Sequence, residues 1–244
     1  IYAHETIDDC LGRIKSYSED SIPVLDMENR LLGVITAQDF MEILDEEMGE
    51  DYAKLGGLSS EEDLKESLAV SVKKRLPWLI ILLGLGLGVS SVVGIFESVV
   101  AQLTIVVCFQ SLVLDMAGNV GTQSLAVTIR VLMDENLDGF QKLSLIWKET
   151  KIGFLNGIIL ALISFGMIGI YTWLFKGKDL FFAFAVAGCV GTALLLSMSL
   201  AAFSGTVIPV FFKKIKIDPA VASGPLITTV NDLVAVVAYY GLAW

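Results

Sequence analysis

Five apolar stretches, at about 76–100, 103–129, 152–175, 180–212 and 220–244, decide what this chain of 244 residues can become. Each is long enough to cross a hydrocarbon layer of about 30 Å as a single helix. Lipid offers backbone N–H and C=O groups no partners, so each segment must close its hydrogen bonds on itself. The expected fold class is an α-helical polytopic membrane protein with five transmembrane helices per chain, preceded by a small N-terminal α/β segment.

Charge orients the spans. Ten Lys and Arg flank one side: Lys73, Lys74, Arg75, Arg130, Lys142, Lys148, Lys151, Lys213, Lys214 and Lys216. Only Lys176 and Lys178 flank the other. The positive-inside bias puts the N-terminal segment in the cytoplasm and the C-terminus outside the cell membrane, in keeping with an odd number of spans. Residues 1–70 hold 18 Asp and Glu against 5 Lys and Arg. Such an acidic head is repelled by anionic lipid unless cations intervene. No basic patch with interleaved aromatics exists, which excludes nucleic acid as a partner class. Cys10, Cys108 and Cys189 are scattered and suggest neither a disulfide framework nor a zinc site, and His4 reads as solvated. The chain opens in a polar stretch that reads as the middle of a domain, so a longer natural protein is expected.

Residues 1–57 read as a small α/β unit. Ile22–Leu25 and Leu31–Ile35 are expected strands around a polar turn, Asp26–Arg30, and Thr36 starts a helix with Asp39 three residues on. The unit resembles one CBS motif, a regulatory module that works in pairs; one repeat is visible. That resemblance implies a possible adenine nucleotide partner, contacted near Thr36–Asp39, whereas the residues alone describe a helix cap. Residues 58–75 are expected to form a linking helix, with Ser59 and Glu62 at capping-box spacing and Lys73, Lys74 and Arg75 in its last turn. The spans then occupy 76–244.

Polar residues inside the spans carry the functional signal. Asp232 stands at the centre of the run from Ala220 to Trp244, where a carboxylate costs roughly 2.5–3.5 kcal/mol on insertion scales. Gly224, Thr228 and Asp232 recur every four residues and share a helix face, with Asn231 beside them. In the second span Gly118, Asn119, Gly121, Thr122 and Gln123 are poor choices for a lipid-facing surface; irregular backbone lining an aqueous path is expected there. Gly84 with Gly88, and Gly153 with Gly157, have the spacing of close helix packing.

The ionisable groups well inside the spans are Asp115 and Asp232, both acidic. An anion path would need positive charge, so the expected cargo is a cation, and a set of oxygen donors suits hard ions such as Mg²⁺ or Ca²⁺. One carboxylate cannot neutralise a divalent ion; a homodimer with Asp232 on its two-fold axis supplies a second.

At these residues the sequence resembles the MgtE-type magnesium transporter/channel family. The matching stretches are RLPWL (Arg75–Leu79), AGNVGTQS (Ala117–Ser124), KETKIGFLNG (Lys148–Gly157), SGTVIPV (Ser204–Val210) and IDPAVASGPLITTVND (Ile217–Asp232). The resemblance implies a homodimer embedded in membrane lipid, with Mg²⁺ as cargo and as regulator. It implies a central metal site at Asp232 and a pore lined near Gly118, Asn119, Gly121, Gly224, Thr228 and Asn231. It also implies cytosolic Mg²⁺ sensing by Glu61, Glu62 and Asp63 facing Asp218, and by Glu46, Glu47, Glu50 and Asp51, with the linking helix as a plug. Gln110-Ser111 stands where the family pattern has a proline-containing stretch. Two other readings compete: an intramembrane aspartyl protease using Asp115 and Asp232, which lacks the GxGD-type signature, and an ion-coupled divalent-cation exporter. A transporter is not an enzyme, and no catalytic residue is expected.

Overall fold

The computed structural model describes residues 1–5, 10, 21–60, 65–97, 101, 104–134, 137–221 and 224–244. The chain divides into two compact units, Ile1–Tyr52 and Ala53–Trp244.

In the first unit, strands β1 (Ser21–Leu25) and β2 (Leu31–Thr36) pair antiparallel, with Ile22 opposite Ile35 and Val24 opposite Gly33. The polar turn between them is organised by Asp26, whose Oδ1 accepts the Glu28 and Arg30 amides at 2.9 and 2.8 Å. Asn29 takes the left-handed conformation this turn needs, φ 59°. Helix α1 (Ala37–Leu55) starts where expected. The Asp39 carboxylate accepts the Thr36 amide at 2.8 Å and its hydroxyl at 2.7 Å. Those two bonds hold the Asp39 carboxyl below the usual carboxylate range. The Thr-Ala-Gln-Asp segment is therefore a helix cap.

The second unit is a bundle of five helices, each long and apolar enough to span a bilayer. They are α2 (Leu68–Ile95), α3 (Thr104–Asp134), α4 (Gly139–Lys176), α5 (Leu180–Lys214) and α6 (Gly224–Ala243), with a short 3₁₀ turn at Pro219–Val221. Helix α4 begins well before its apolar stretch. Asp138 caps it, accepting the Gln141 amide at 2.7 Å, while the Gln141 side chain accepts the Asp138 amide at 2.8 Å. Its 38 residues span about 57 Å, longer than a bilayer core is thick. Trp147, with the Lys151 ammonium 5.1 Å from its ring centre, marks an interface within this extension.

The linking helix differs from expectation. Glu62 lies outside the described residues, and the described helix begins only at Leu68, after Ser67. It continues through Pro77, so Lys73, Lys74 and Arg75 sit in its second turn rather than a last one. Leu68, Val72, Leu76 and Leu79 keep one helical phase across the boundary, and apolar periodicity overrides the single lost N–H.

Helices α4 and α5 form an antiparallel pair held by small residues. A Cβ added at Gly153 would lie 2.5 Å from the Ala202 Cβ, and one at Gly157 would lie 3.0 Å from the Leu195 Cα. Gly84 and Gly88 of α2 meet nothing within 4 Å, so the close packing expected of them is not made among the described residues. Helix α5 packs on α3, and α6 lies against both. Between these three helices Val113, Ala117, Val190, Ala201, Ala235 and Tyr239 are fully buried. Helix α2 packs chiefly on α6, near the C-terminal ends of both, where Phe96 stacks on Tyr240 at 5.8 Å and meets Trp244 edge-on at 6.0 Å.

Two tyrosines pin the C-terminal end of α6 to α3. Tyr239 donates to the Val106 carbonyl at 2.7 Å, and Tyr240 donates to the Gln110 Oε1 at 2.6 Å. Gln110 thus has a structural role, and α3 runs as one helix past Gln110-Ser111. Replacing Tyr240 by Phe is expected to lower the stability of the bundle by about 0.5–1.5 kcal/mol. Thermal denaturation in detergent, followed by the loss of monodisperse protein, measures this.

Candidate functional site: a polar seam between the second and fifth spans

Adjacent spans alternate in direction, so α3 and α6 run antiparallel, and their contacts fix the register. Gly118 faces Thr228, whose Cγ2 would stand 3.3 Å from an added Cβ; Gly121 faces Ile227 and Asn231. One turn from Gly118 towards the start of α3 is Asp115. One turn from Thr228 towards the end of α6 is Asp232. The two carboxylates therefore lie at one level of the helix pair and, by the 100° step per residue, on the same side of the contact line.

Among the described residues, that side is only partly covered. Asp115, Asn119 and Thr122 on α3 are exposed, and Gly224, Thr228 and Asp232 on α6 are half-buried. Together they form a polar seam running through the apolar bundle. Thr122 donates to the Gly118 carbonyl and Thr228 to the Gly224 carbonyl, each at 2.9 Å. These bonds use the hydroxyl protons and leave oxygen lone pairs as acceptors towards the seam. Its chemistry is that of oxygen donors and negative charge, which suits a hard cation.

The opposite side of the same contact is closed. Asn231 is fully buried, and its Oδ1 accepts the Ser204 hydroxyl of α5 at 2.7 Å. A Cβ at Gly121 would come 1.8 Å from the Asn231 Nδ2, and one at Gly205 would come 2.4 Å from the Gly121 carbonyl oxygen. Three helices meet at these small residues. Asn231, expected to line a pore, points instead into the chain's own core. Gly118 and Gly121 are also buried. The irregular backbone expected at Gly118–Gly121 is corrected to regular helix: the glycines serve close approach, and α3 is unbroken there.

The residues expected to sense Mg²⁺ fare differently. Asp218 is exposed and pairs with Lys54 at 2.8 Å, while its other oxygen caps the Ala220 amide at 2.9 Å. Beside it, Leu55 joins a cluster with Leu125, Ile129 and Ile227, and Gly57, at φ 78°, fits against Trp78. Glu61, Glu62 and Asp63 lie outside the described residues, as do the side chains of Glu47 and Asp51. Glu46 and Glu50 are exposed on α1. Among the described residues no three His, Cys, Asp or Glu side chains come together as a metal site. Lys54 was not singled out in the sequence, because its partner is 164 positions away. Ser204 was quoted only within a motif; a hydroxyl in an apolar span was its one available signal.

A five-span helical membrane protein with an acidic, oxygen-lined seam belongs to the class of multi-pass membrane proteins suited to cations. The comparisons agree. Residues 110–242 match the MgtE family model, described as a divalent cation transporter, and residues 1–46 match the CBS domain. The chain belongs to the MgtE family. It is 35% identical to the magnesium transporter MgtE of Enterococcus faecalis, over 100% of this chain and 51% of that protein. Identity to the Bacillus subtilis magnesium transporter MgtE is 36%, over 94% of this chain and 49% of the relative. For the Thermus thermophilus protein of the same name it is 33%, over 93% and 49%. The chain thus spans about half the length of the curated relatives it matches.

Changing Gly121 to Ala forces the Asn231 amide out of its place and separates α3 from α6. A loss of about 1–3 kcal/mol in stability is expected, the usual cost of overpacking, and chemical denaturation in mixed micelles would register it. The same change at Gly139, which has open space around it, is expected to leave the denaturation midpoint in place.

Proposed function

We propose that this chain forms the membrane pathway of a Mg²⁺ transporter of the cell membrane, working as a homodimer in lipid. Two copies face each other along the α3–α6 seam, and the two Asp232 carboxylates meet near the axis and neutralise one divalent ion. The observation that carries this reading is the seam itself: carboxylates and oxygen donors at membrane depth, turned away from the chain's own core. A polar face of this kind must meet water or another chain, since lipid leaves it unsatisfied.

Mg²⁺ gives up its water reluctantly, so the paired carboxylates hold it largely hydrated, through outer oxygens. Asn119 and Thr228 extend the path about one turn towards the start of α6. A negative-inside potential draws a divalent ion inward with about 4.6 kcal/mol per 100 mV, twice the single-charge value. The ten-to-two bias in flanking bases supports a cytoplasmic head and an outer C-terminus.

The acidic head, residues 1–57, and the stretch from 58 to 75 act as the gate, with spans from 76 onward as the pathway. When cytosolic Mg²⁺ is scarce, like charges on α1 repel one another; bound Mg²⁺ offsets that repulsion and closes the path. Glu61, Glu62 and Asp63 belong to this sensing surface, with Glu46, Glu47, Glu50 and Asp51. Asp218 takes part only when it exchanges Lys54 for the ion. An adenine nucleotide at the Thr36–Asp39 end would likewise have to displace the Asp39 capping bonds.

Mg²⁺ uptake into proteoliposomes tests the pathway. The Asp232→Ala variant is expected to lose at least about 90% of wild-type uptake, since it removes the charge of both carboxylates at the axis. Undiminished uptake in the variant sinks the central claim, and uptake that requires an imposed proton or sodium gradient points to the coupled exporter instead. For the gate, the paired substitution Glu46→Gln with Glu50→Gln is expected to weaken inhibition by Mg²⁺ on the cytoplasmic face. An unchanged inhibition curve would remove those two residues from the sensor.

A further inference from the structure

We propose that Ser204, on the fourth span, is a positioning residue for the ion site: through Asn231 it sets the rotation of α6 and so the direction in which Asp232 faces the seam. The inference rests on the reading of Asp232 as the ion ligand and adds to it a residue that does not touch the ion.

Asn231 and Asp232 are consecutive on one helix, so their side chains leave it about 100° apart. Turning one inward turns the other towards the seam. Asn231 is fully buried, and its Oδ1 has a single side-chain partner, the Ser204 hydroxyl at 2.7 Å. The same hydroxyl lies 3.1 Å from the Ala201 carbonyl of its own helix, a competing acceptor at longer range. The Asn231 Nδ2 has no hydrogen-bond partner and lies against Gly121. If Ser204 releases the amide, both ends of a buried polar group go unpaired, which an apolar interior opposes strongly. The relief open to α6 is rotation, carrying the amide towards the polar seam and Asp232 away from it.

Placement along the helix makes this contact the relevant one. The other side-chain bonds that tie α6 to its neighbours are those of Tyr239 and Tyr240, about two turns nearer the C-terminal end. Among the described residues, no other side-chain hydrogen bond to a neighbouring helix fixes the half of α6 that precedes Asn231. Asn231 adjoins Asp232, so the Ser204 bond is where α6 is fixed at the level of the ion. The cleft that admits the amide exists because Gly121 and Gly205 let α3 and α5 approach closely.

The test uses the full chain with Cys10, Cys108 and Cys189 replaced by Ala, and Asp232→Cys added, in liposomes. A small cationic methanethiosulfonate reports how fast the thiol at 232 reacts from water. Ser204→Ala is expected to slow that reaction by up to about fivefold, the fall in population from an even balance when losing one hydrogen bond to a buried amide shifts the rotational equilibrium about tenfold. Ser204→Thr, which keeps the hydroxyl, is expected to restore the rate. An unchanged rate in Ser204→Ala, or a loss as large in Ser204→Thr, overturns the proposal. With Asp232 in place, Ser204→Ala is expected to raise the half-saturating Mg²⁺ concentration and to lower the preference for Mg²⁺ over Ca²⁺; unaltered values of both would also overturn it. If the wild-type chain carried no Mg²⁺, the transport reading would fail, while the thiol rates would still decide the role of Ser204.

Discussion

A polar group at membrane depth has no water to fall back on, and α6 carries two of them in succession. The chain resolves the problem by sending them in opposite directions. The amide of Asn231 goes inward, where a hydroxyl on α5 receives it. The carboxylate of Asp232 goes to the open side, beside Asp115 on α3. Most of the bundle's local design serves that division. Gly121 makes room for the amide, Gly205 lets α5 come close enough to bond it, and Tyr239 and Tyr240 hold the C-terminal end of the helix.

Much of this was legible from residues alone, for a physical reason. Lipid permits so few backbone forms that apolar length reads directly as span, and all five helices lie where apolar runs place them. The hairpin of the head was equally readable, since Asp26–Arg30 is a turn by local chemistry. What failed was anything that depended on a neighbour distant in the chain. Periodicity puts Asn231 near the face of Gly224 and Thr228, but it cannot say which partner helix stands on which side. The glycines at 118 and 121 looked like broken helix because composition cannot separate a glycine that frees a carbonyl from one that admits a neighbour. The pairing of Asp218 with Lys54 was not legible either, because 164 positions of sequence separate the two.

The start of α4 shows a different limit. Its first turns, from Gly139 to Trp147, are amphipathic rather than apolar, so a search for spans begins too late. The capping box at Asp138 and Gln141 was readable in principle, as residues with the right spacing, yet nothing local distinguishes an interfacial helix start from a turn in a loop. The linking segment erred in the opposite sense. Ser59 and the acids after it resemble a helix start, while the helix that packs begins at Leu68.

The position of α2 has a consequence for how the protein is made. Of the five spans in this chain it is the first to be synthesised, and the helix it chiefly packs against, α6, is the fifth. At synthesis rates of about 5–20 residues per second, several seconds separate the two. Throughout that interval α2 stays in the bilayer as a lone helix with its glycine face uncovered, while α4 and α5 can zip together as soon as both are inserted. Closure of the bundle is therefore a late step in biogenesis, and the seam beside Asp232 takes shape only when the fifth span arrives.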